Sequence, residues 1–510
     1  MNRTGRQSAL RGEPLRALME LAPGRGVKAV LALLLAAGFL VFVSRAFSET
    51  GSEWGIALIS AACAAVLIAG VWRRLGRQPL MVLLCAALPL LLALGAHLSL
   101  LTIRPGRMSR VLTPLLETMW NYDLSVAMAW EADSWSAGYL IVMALFSRLE
   151  TFPALYAVKL LDLVCLSAAA LAVSEMAKKR GAGPAGITAS AVLSLLLPTV
   201  LMNAGLWAQC DAVFAAFALW GLSLLLGDHP LAGCALWGVA LSFKLQSAFL
   251  FPLLIPLFFA RKAGLRHIAV IAGVFLLLHA PMLANGQGLQ AVLGRYNGQI
   301  LTEAYGSSFE EEESGEEAEP EETQTQAEDA AAEDAAAEEA PAGQPEIPVY
   351  LHEGLAGHAP SVYHLMTVAS VREFSGMGLY LGIACALLTA FLLIRRAPQN
   401  QDAWLTAALL LACGLPVILP QMNARCLYLA GLLSLTRLGR PRHCVQAALL
   451  EVISLCCYME AIFSTEAQLV SMLPMNLLSL LLIGVSLSLA VELVTELVGN
   501  GAKEGVHESP

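Results

Sequence analysis

Residues 27–47 read VKAVLALLLAAGFLVFVSRAF, with Lys28 and Arg45 as the only charges, both near the ends. As a helix rising 1.5 Å per residue, the run reaches about 31 Å, the thickness of a bilayer's hydrocarbon core. It is too long for the apolar region of a signal peptide and lacks a clear small-residue cleavage site. It reads as a retained first span.

Comparable runs follow at residues 54–72, 80–103, 152–176, 184–203, 212–226, 230–243, 248–260, 268–284, 377–394, 403–420, 426–438, 445–463 and 473–498. Composition agrees: 57% of the 510 residues are apolar and 14% are charged, and mean hydropathy is +0.66. A soluble chain carries about 25% charged residues, so a soluble enzyme is excluded. A β-barrel would show alternating segments of about ten residues. The sequence predicts an all-α polytopic membrane protein.

Orientation follows from loop charge, because Lys and Arg collect on the cytoplasmic side. The clusters Arg73/Arg74/Arg77, Lys178/Lys179/Arg180, Arg261/Lys262/Arg266, Arg395/Arg396 and Arg437/Arg440/Arg442 all fall inside in one register. That register needs residues 137–149 to be re-entrant or interfacial, and residues 230–260 to form a hairpin turning outside. The expectation is 14 crossings with both termini cytoplasmic, in the plasma membrane. The organisation is then a basic cytoplasmic N-terminus (1–26), a first membrane part (27–307), an insert (308–348), a second membrane part (349–498) and a cytoplasmic tail (499–510).

The insert holds 16 acids and no Lys or Arg. Without them the formal charge of −9 becomes +7, so the membrane body is mildly basic. The five-residue repeat Glu328-Asp329-Ala330-Ala331-Ala332, Glu333-Asp334-Ala335-Ala336-Ala337 matches no helix face. Dense like charge resists collapse, which predicts a solvated spacer in an external loop. Basic residues elsewhere are spread in twos and threes, so no nucleic-acid partner is expected. Most of the 11 cysteines sit inside apolar runs, where Cys acts as a small hydrophobe. No Cys/His spacing fits zinc, and His352, His358 and His364, six apart, suit no helical metal site. Neither metal nor cofactor is expected.

On the external side, polar residues from distant segments gather. Trp207-Ala208-Gln209-Cys210-Asp211 follows the fifth span, Phe243-Lys244-Leu245-Gln246 occupies a hairpin turn, and Leu419-Pro420-Gln421-Met422-Asn423-Ala424-Arg425-Cys426-Leu427-Tyr428 links two late spans. Ionisable groups at membrane depth usually carry function. The residues also have quieter readings: Asp211 as a helix N-cap, Lys244 as a snorkelling lysine, Arg425 as a topology anchor and Trp207 as an aromatic-belt residue. Lys159 and Asp162, three apart on one span, are expected to neutralise each other.

Together these motifs resemble the W-G-Q-C-D, F-K-L-Q and P-K-M-H-E-R motifs of bacterial integral-membrane mannosyltransferases. That family is related to the second mannosyltransferase of GPI-anchor synthesis, within the GT-C superfamily. His358-Ala359-Pro360-Ser361-Val362-Tyr363 resembles its N-A-P-N-L-Y motif, and residues 139–149 with 155–161 resemble an early Y-L-Y-L-L-A-L-L-S-R-L segment and its continuation. The likeness runs over most of residues 139–435, excluding the insert.

The resemblance implies a GT-C-like fold and transfer of a sugar, mannose in that family, from a polyprenyl-phosphate donor. The acceptor lies on the non-cytoplasmic face, and its identity is left open. Lys244 and Arg425 are the interfacial cations suited to a lipid phosphate. Trp207, Gln209, Asp211, Gln246 and Tyr363 are further substrate-binding candidates. A carboxylate must take the acceptor's proton. The family's early acid is missing from Arg107-Met108-Ser109-Arg110-Val111, and its His-Glu pair is replaced by Asn423-Ala424. The candidate bases are Asp133, then Asp123, then Glu131, with Glu117 also nearby. Two alternatives stay open: a non-catalytic membrane subunit, and a lipid or solute transporter, although no internal repeat is found.

Overall fold

A computed structural model of the chain describes residues 20–104, 112–128, 136–149, 152–227, 229–294, 296, 359–366, 371–396, 401–463 and 473–504. The candidates Glu131 and Asp133, His358 and the acidic insert lie outside these residues. Within them the fold is all-helical. The first half contains α1 (Arg25–Ala46), α2 (Glu53–Leu75), α3 (Leu80–Ser99), the short α4 (Thr113–Trp120) and α5 (Leu124–Met128), α6 (Ala137–Phe146) and α7 (Ala154–Lys179). Next come α8 (Pro184–Leu196), the half-helix α9 (Pro198–Leu206), α10 (Asp211–Leu225), α11 (Pro230–Phe243), a 3-10 stretch at Leu245–Leu253, α12 (Leu254–Phe259), α13 (Leu265–Leu278) and α14 (Ala280–Ala284). The second half contributes α15 (Val371–Arg396), α16 (Gln401–Ile418), α17 (Tyr428–Ser434), α18 (Pro441–Phe463) and α19 (Met475–Glu504).

Among the described residues seven helices are long and apolar enough to cross a membrane, or eight if the bent pair α8–α9 is one span. The protein is therefore a helical membrane protein. Helix α7 is central, with 83% of its apolar window buried, whereas α1 buries 22% and turns the rest outward. Indole N–H donors tie the bundle. Trp72 donates to Leu83 O at 2.8 Å, Trp220 to Ala168 O at 2.8 Å and Trp237 to Ala218 O at 3.1 Å. The hairpin of α10 and α11 closes through Gly221 and Gly233. A methyl group at Gly233 would stand 2.7 Å from Gly221 O, so only small residues allow this approach.

Several expected spans come out shorter. Residues 248–260 divide into a 3-10 stretch and the six-residue α12, because Pro252 and Pro256 each remove a helical N–H. Residues 426–438 yield only the seven-residue α17 and one 3-10 turn. The run at 184–203 breaks at Leu197–Pro198 with a 40° bend. Beyond it the helix widens to π geometry at Leu201–Leu206.

The cluster at Arg437 and Arg442 is more than a topology signal. Arg437 is buried and reaches Glu492 of α19 at 2.5 Å, and His443 Nε2 meets the same carboxylate at 2.6 Å. Arg180, just past α7, pairs with Asp402 of α16 at 2.6 Å, and Thr406 donates to Glu496 at 2.8 Å. Ion pairs and hydrogen bonds thus join α7, α16, α18 and α19 at one end of the bundle. The other end carries the candidate site.

Candidate functional site

The break in the fifth apolar run builds the site. Pro198 lacks an N–H, and Leu197 before it is extended, so Thr199 begins a new helix with an unsatisfied N–H. Glu451 of α18 takes that N–H at 2.8 Å and the Thr199 hydroxyl at 2.9 Å. The π turn that follows ends at Trp207, and Ala208 lies in the left-handed region at φ 51°. This turn reverses the chain and starts α10 at Asp211.

Asp211 is the first helical residue, with Cys210 in the cap position. Its side chain makes no cap bond and points into a polar cluster instead. One oxygen pairs with Lys244 Nζ; the other accepts from Asn203 Nδ2 at 2.6 Å and lies 3.8 Å from Arg425 Nη1. The carboxylate is fully buried, and Lys244 is 7% exposed. An acid in the first turn is also favoured by the helix dipole. The N-cap reading of Asp211 and the snorkelling reading of Lys244 are both corrected: each holds the other in a buried ion pair.

Arg425 is half-buried. Its guanidinium donates to Gln209 Oε1 and stacks over Trp207 at 5.3 Å from the ring centroid. The loop that carries it turns through Gln421, left-handed at φ 60°, and Asn423 Oδ1 caps the Arg425 N–H at 3.0 Å. Two segments brace this loop. Ala359 N–H donates to Met422 O at 3.0 Å, and Tyr363 hydroxyl donates to Ile418 O at 2.8 Å. The Tyr363 ring fits against Gly378, where any Cβ would collide with it. Burial pushes the Tyr363 hydroxyl above the ordinary phenol range, so it remains a donor at neutral pH. Tyr363 is thus a strut beneath the loop.

The structure therefore brings Trp207, Gln209, Asp211, Lys244 and Arg425 into one cluster, with Tyr363 one layer behind. Gln246 follows Lys244 by two residues. It is buried, and its Oε1 finds no hydrogen-bond partner among the described residues. Asp123 is apart from these contacts and exposed, at the turn between α4 and α5.

Three residues join the site without having been expected. Asn203 orients Asp211 and also donates to Tyr458 hydroxyl at 2.8 Å. Tyr458 is fully buried and meets the Trp207 ring edge-on at 6.0 Å between centroids. Glu451 holds the start of α9. The only sequence signal for them was polarity inside apolar runs. Asp162 lies deeper, within electrostatic reach of Asp211. Lys159 lies within electrostatic reach of it, as the i,i+3 spacing led us to expect, and also donates to Leu100 O at 2.8 Å and Ile103 O at 2.7 Å, just past α3. Asp162 Oδ2 has no hydrogen-bond partner among the described residues.

One carboxylate against two cations leaves the cluster with a net charge of +1. The more exposed cation is Arg425, at the end of a planar fork suited to oxyanions. Such a cluster can hold an anionic group at Arg425 and offer Gln209 to a neighbouring polar ring, whereas Trp207 is buried beneath the guanidinium and supports it. Among the described residues, no group of three or more His, Cys, Asp or Glu is placed to hold a metal ion. Searched against protein-family models and against curated proteins, the sequence matches none.

Proposed function

We propose that this chain is a membrane glycosyltransferase of the GT-C type. It moves a sugar, mannose by the resemblance of its motifs, from a polyprenyl-phosphate donor to an acceptor on the non-cytoplasmic face. The observation that carries the proposal is the meeting of three distant segments, at Trp207–Asp211, Lys244 and Arg425, in one ion-paired cluster. These are the segments whose motifs resemble the family.

Within this reading the two cations divide the work. Lys244 is locked against Asp211 and fixes the site's shape. Arg425, farther from Asp211 at 3.8 Å and half-exposed, takes the donor phosphate. The acceptor's hydroxyl oxygen attacks the anomeric carbon. The bond from that carbon to the phosphate oxygen breaks, and its electron pair leaves with the phosphate. The hydroxyl proton passes to a carboxylate, for which Asp133, Asp123 and Glu131 are the candidates. The chain crosses the membrane 14 times in this scheme, with both termini cytoplasmic in the plasma membrane and residues 137–149 re-entrant.

The test uses purified protein, polyprenyl-phosphate mannose and a panel of acceptors. Transfer by the parent, lost in one of Asp133→Asn, Asp123→Asn or Glu131→Gln while donor binding persists, supports the scheme. Equal transfer by all three variants refutes the base assignment.

A second reading is a non-catalytic membrane subunit. It is favoured by Asn423, which stands where the family carries His and spends its side chain on the Arg425 N–H. Donor binding without transfer by the parent would select it.

A further inference from the structure

A cavity of about 470 Å³ lies beside the turn that follows α3. Arg104, Glu117, Trp120 and Asn121 line its polar side, and Phe146 and Leu155 are among the residues of its apolar side. The volume is in the range of small-molecule sites. Two cations fix its walls. Arg148 donates to the carbonyls of Met119 at 3.0 Å, Trp120 at 3.0 Å and Tyr122, holding the end of α4 to the end of α6. Lys159 holds the end of α3 to α7 through Leu100 O and Ile103 O. These two side chains pin the segments that follow α3 and end α4, on either side of the opening.

The cavity is connected to the charged cluster by two rigid elements. Helix α6 runs from Tyr139, within electrostatic reach of Asp211 and Arg425, to Phe146 in the cavity wall. Helix α7 runs from Asp162, also within reach of Asp211, back to Leu155. Along either helix the separation is about 10–11 Å.

We infer that this cavity binds an uncharged, hydroxyl-bearing headgroup of an amphiphile, such as a glycolipid. Among the described residues its lining presents one guanidinium and one carboxylate, both on exposed residues, so their charges balance. An anionic headgroup would meet Glu117 and a cationic one Arg104. A polyol needs donors and acceptors side by side, which Arg104, Asn121 and Glu117 supply. Trp120 gives a face for the apolar side of a sugar ring, and Phe146 and Leu155 suit the chain attached to it. If the glycosyltransferase reading holds, this is where the acceptor sits.

The experiment uses the full chain in nanodiscs of phosphatidylcholine and an octyl mannoside carrying a chain-end diazirine. Photolabelling is expected on peptides covering residues 112–121 and 146–155. Octyl mannoside should compete at concentrations at least about tenfold lower than octyl phosphate. The variant Glu117→Gln with Trp120→Ala should lose about tenfold in labelling efficiency, the size of one lost hydrogen bond plus one ring contact. Glu117 and Trp120 are exposed, so thermal stability should be unchanged. Label spread evenly over lipid-facing helices, or better competition by octyl phosphate, overturns the inference.

The transfer assay keeps the two readings apart. If the parent transfers sugar and the variant's acceptor KM is unchanged, the cavity is not the acceptor site. If the parent does not transfer but competition is selective, the cavity stands as a glycolipid site and the transfer reading falls.

Discussion

Replacing Asp211 by Asn should unfold the site. The carboxylate is fully buried, and its partner Lys244 is 7% exposed, so the substitution leaves an ammonium in a nearly dry place. Breaking one side of a buried ion pair costs about 3–5 kcal/mol. Arg425 adds little to that cost, because it keeps solvent contact, Gln209 and the Trp207 face. Lys244→Met alone should cost less, about 1–3 kcal/mol, because Asp211 retains Asn203 at 2.6 Å and Arg425 at 3.8 Å. The double variant Asp211→Asn/Lys244→Met should recover most of the loss, since no charge is then stranded. The assay is the folded fraction across an SDS titration in mixed micelles, read by circular dichroism. If Asp211→Asn costs under about 1 kcal/mol, or if Lys244→Met costs as much as Asp211→Asn, the carboxylate is not the anchor of the cluster.

Further outcomes are expected elsewhere. Arg425→Gln should weaken binding of polyprenyl-phosphate mannose about 10- to 150-fold, the weight of a charge-assisted contact, with stability little changed; equal affinity by surface plasmon resonance would remove Arg425 from the phosphate site. Gly233→Val should cost at least about 1–3 kcal/mol by overpacking the α10–α11 crossing, measured by the same SDS titration. Removing residues 308–348 should leave thermal stability in detergent unchanged, since their charge and repeat give nothing to pack. A single cysteine placed in 308–348 should react with an impermeant thiol reagent on intact cells, while one near Lys178 should not; the reverse pattern would invert the topology.

The long spans were legible because a bilayer tests only length and apolarity, and α1, α2 and α3 satisfy both over twenty or more residues. The bends were not. Pro198, Pro252 and Pro256 each allow a kink, a break or a helix start, and the neighbours decide which. Glu451 makes the Pro198 break tenable from more than two hundred residues away. In the site, the charged members stood out because Asp211, Lys244 and Arg425 are rare residues in apolar surroundings. Asn203 and Tyr458 were hidden, since one amide or phenol in a span has many possible partners until packing selects one. The ion pair of Arg437 was hidden for the opposite reason. A cation at a span's end fits the loop-charge rule equally well whether it faces water or Glu492.

The contacts that close the site have an implication for biogenesis. Asn203 to Tyr458, Thr199 to Glu451 and Asp211 to Arg425 all join the portion before residue 294 to the portion after residue 359. Roughly 250 residues separate Asp211 from Tyr458, and at about 5–20 residues per second of synthesis that is on the order of ten seconds to a minute. Throughout that interval α10 and α11 must persist as a hairpin sealed by the Asp211–Lys244 pair, while Arg425 and α18 have yet to leave the ribosome. The same division marks the intervening chain as a place where the protein could be made as two polypeptides and still assemble. The late half would then dock onto a prebuilt ion pair.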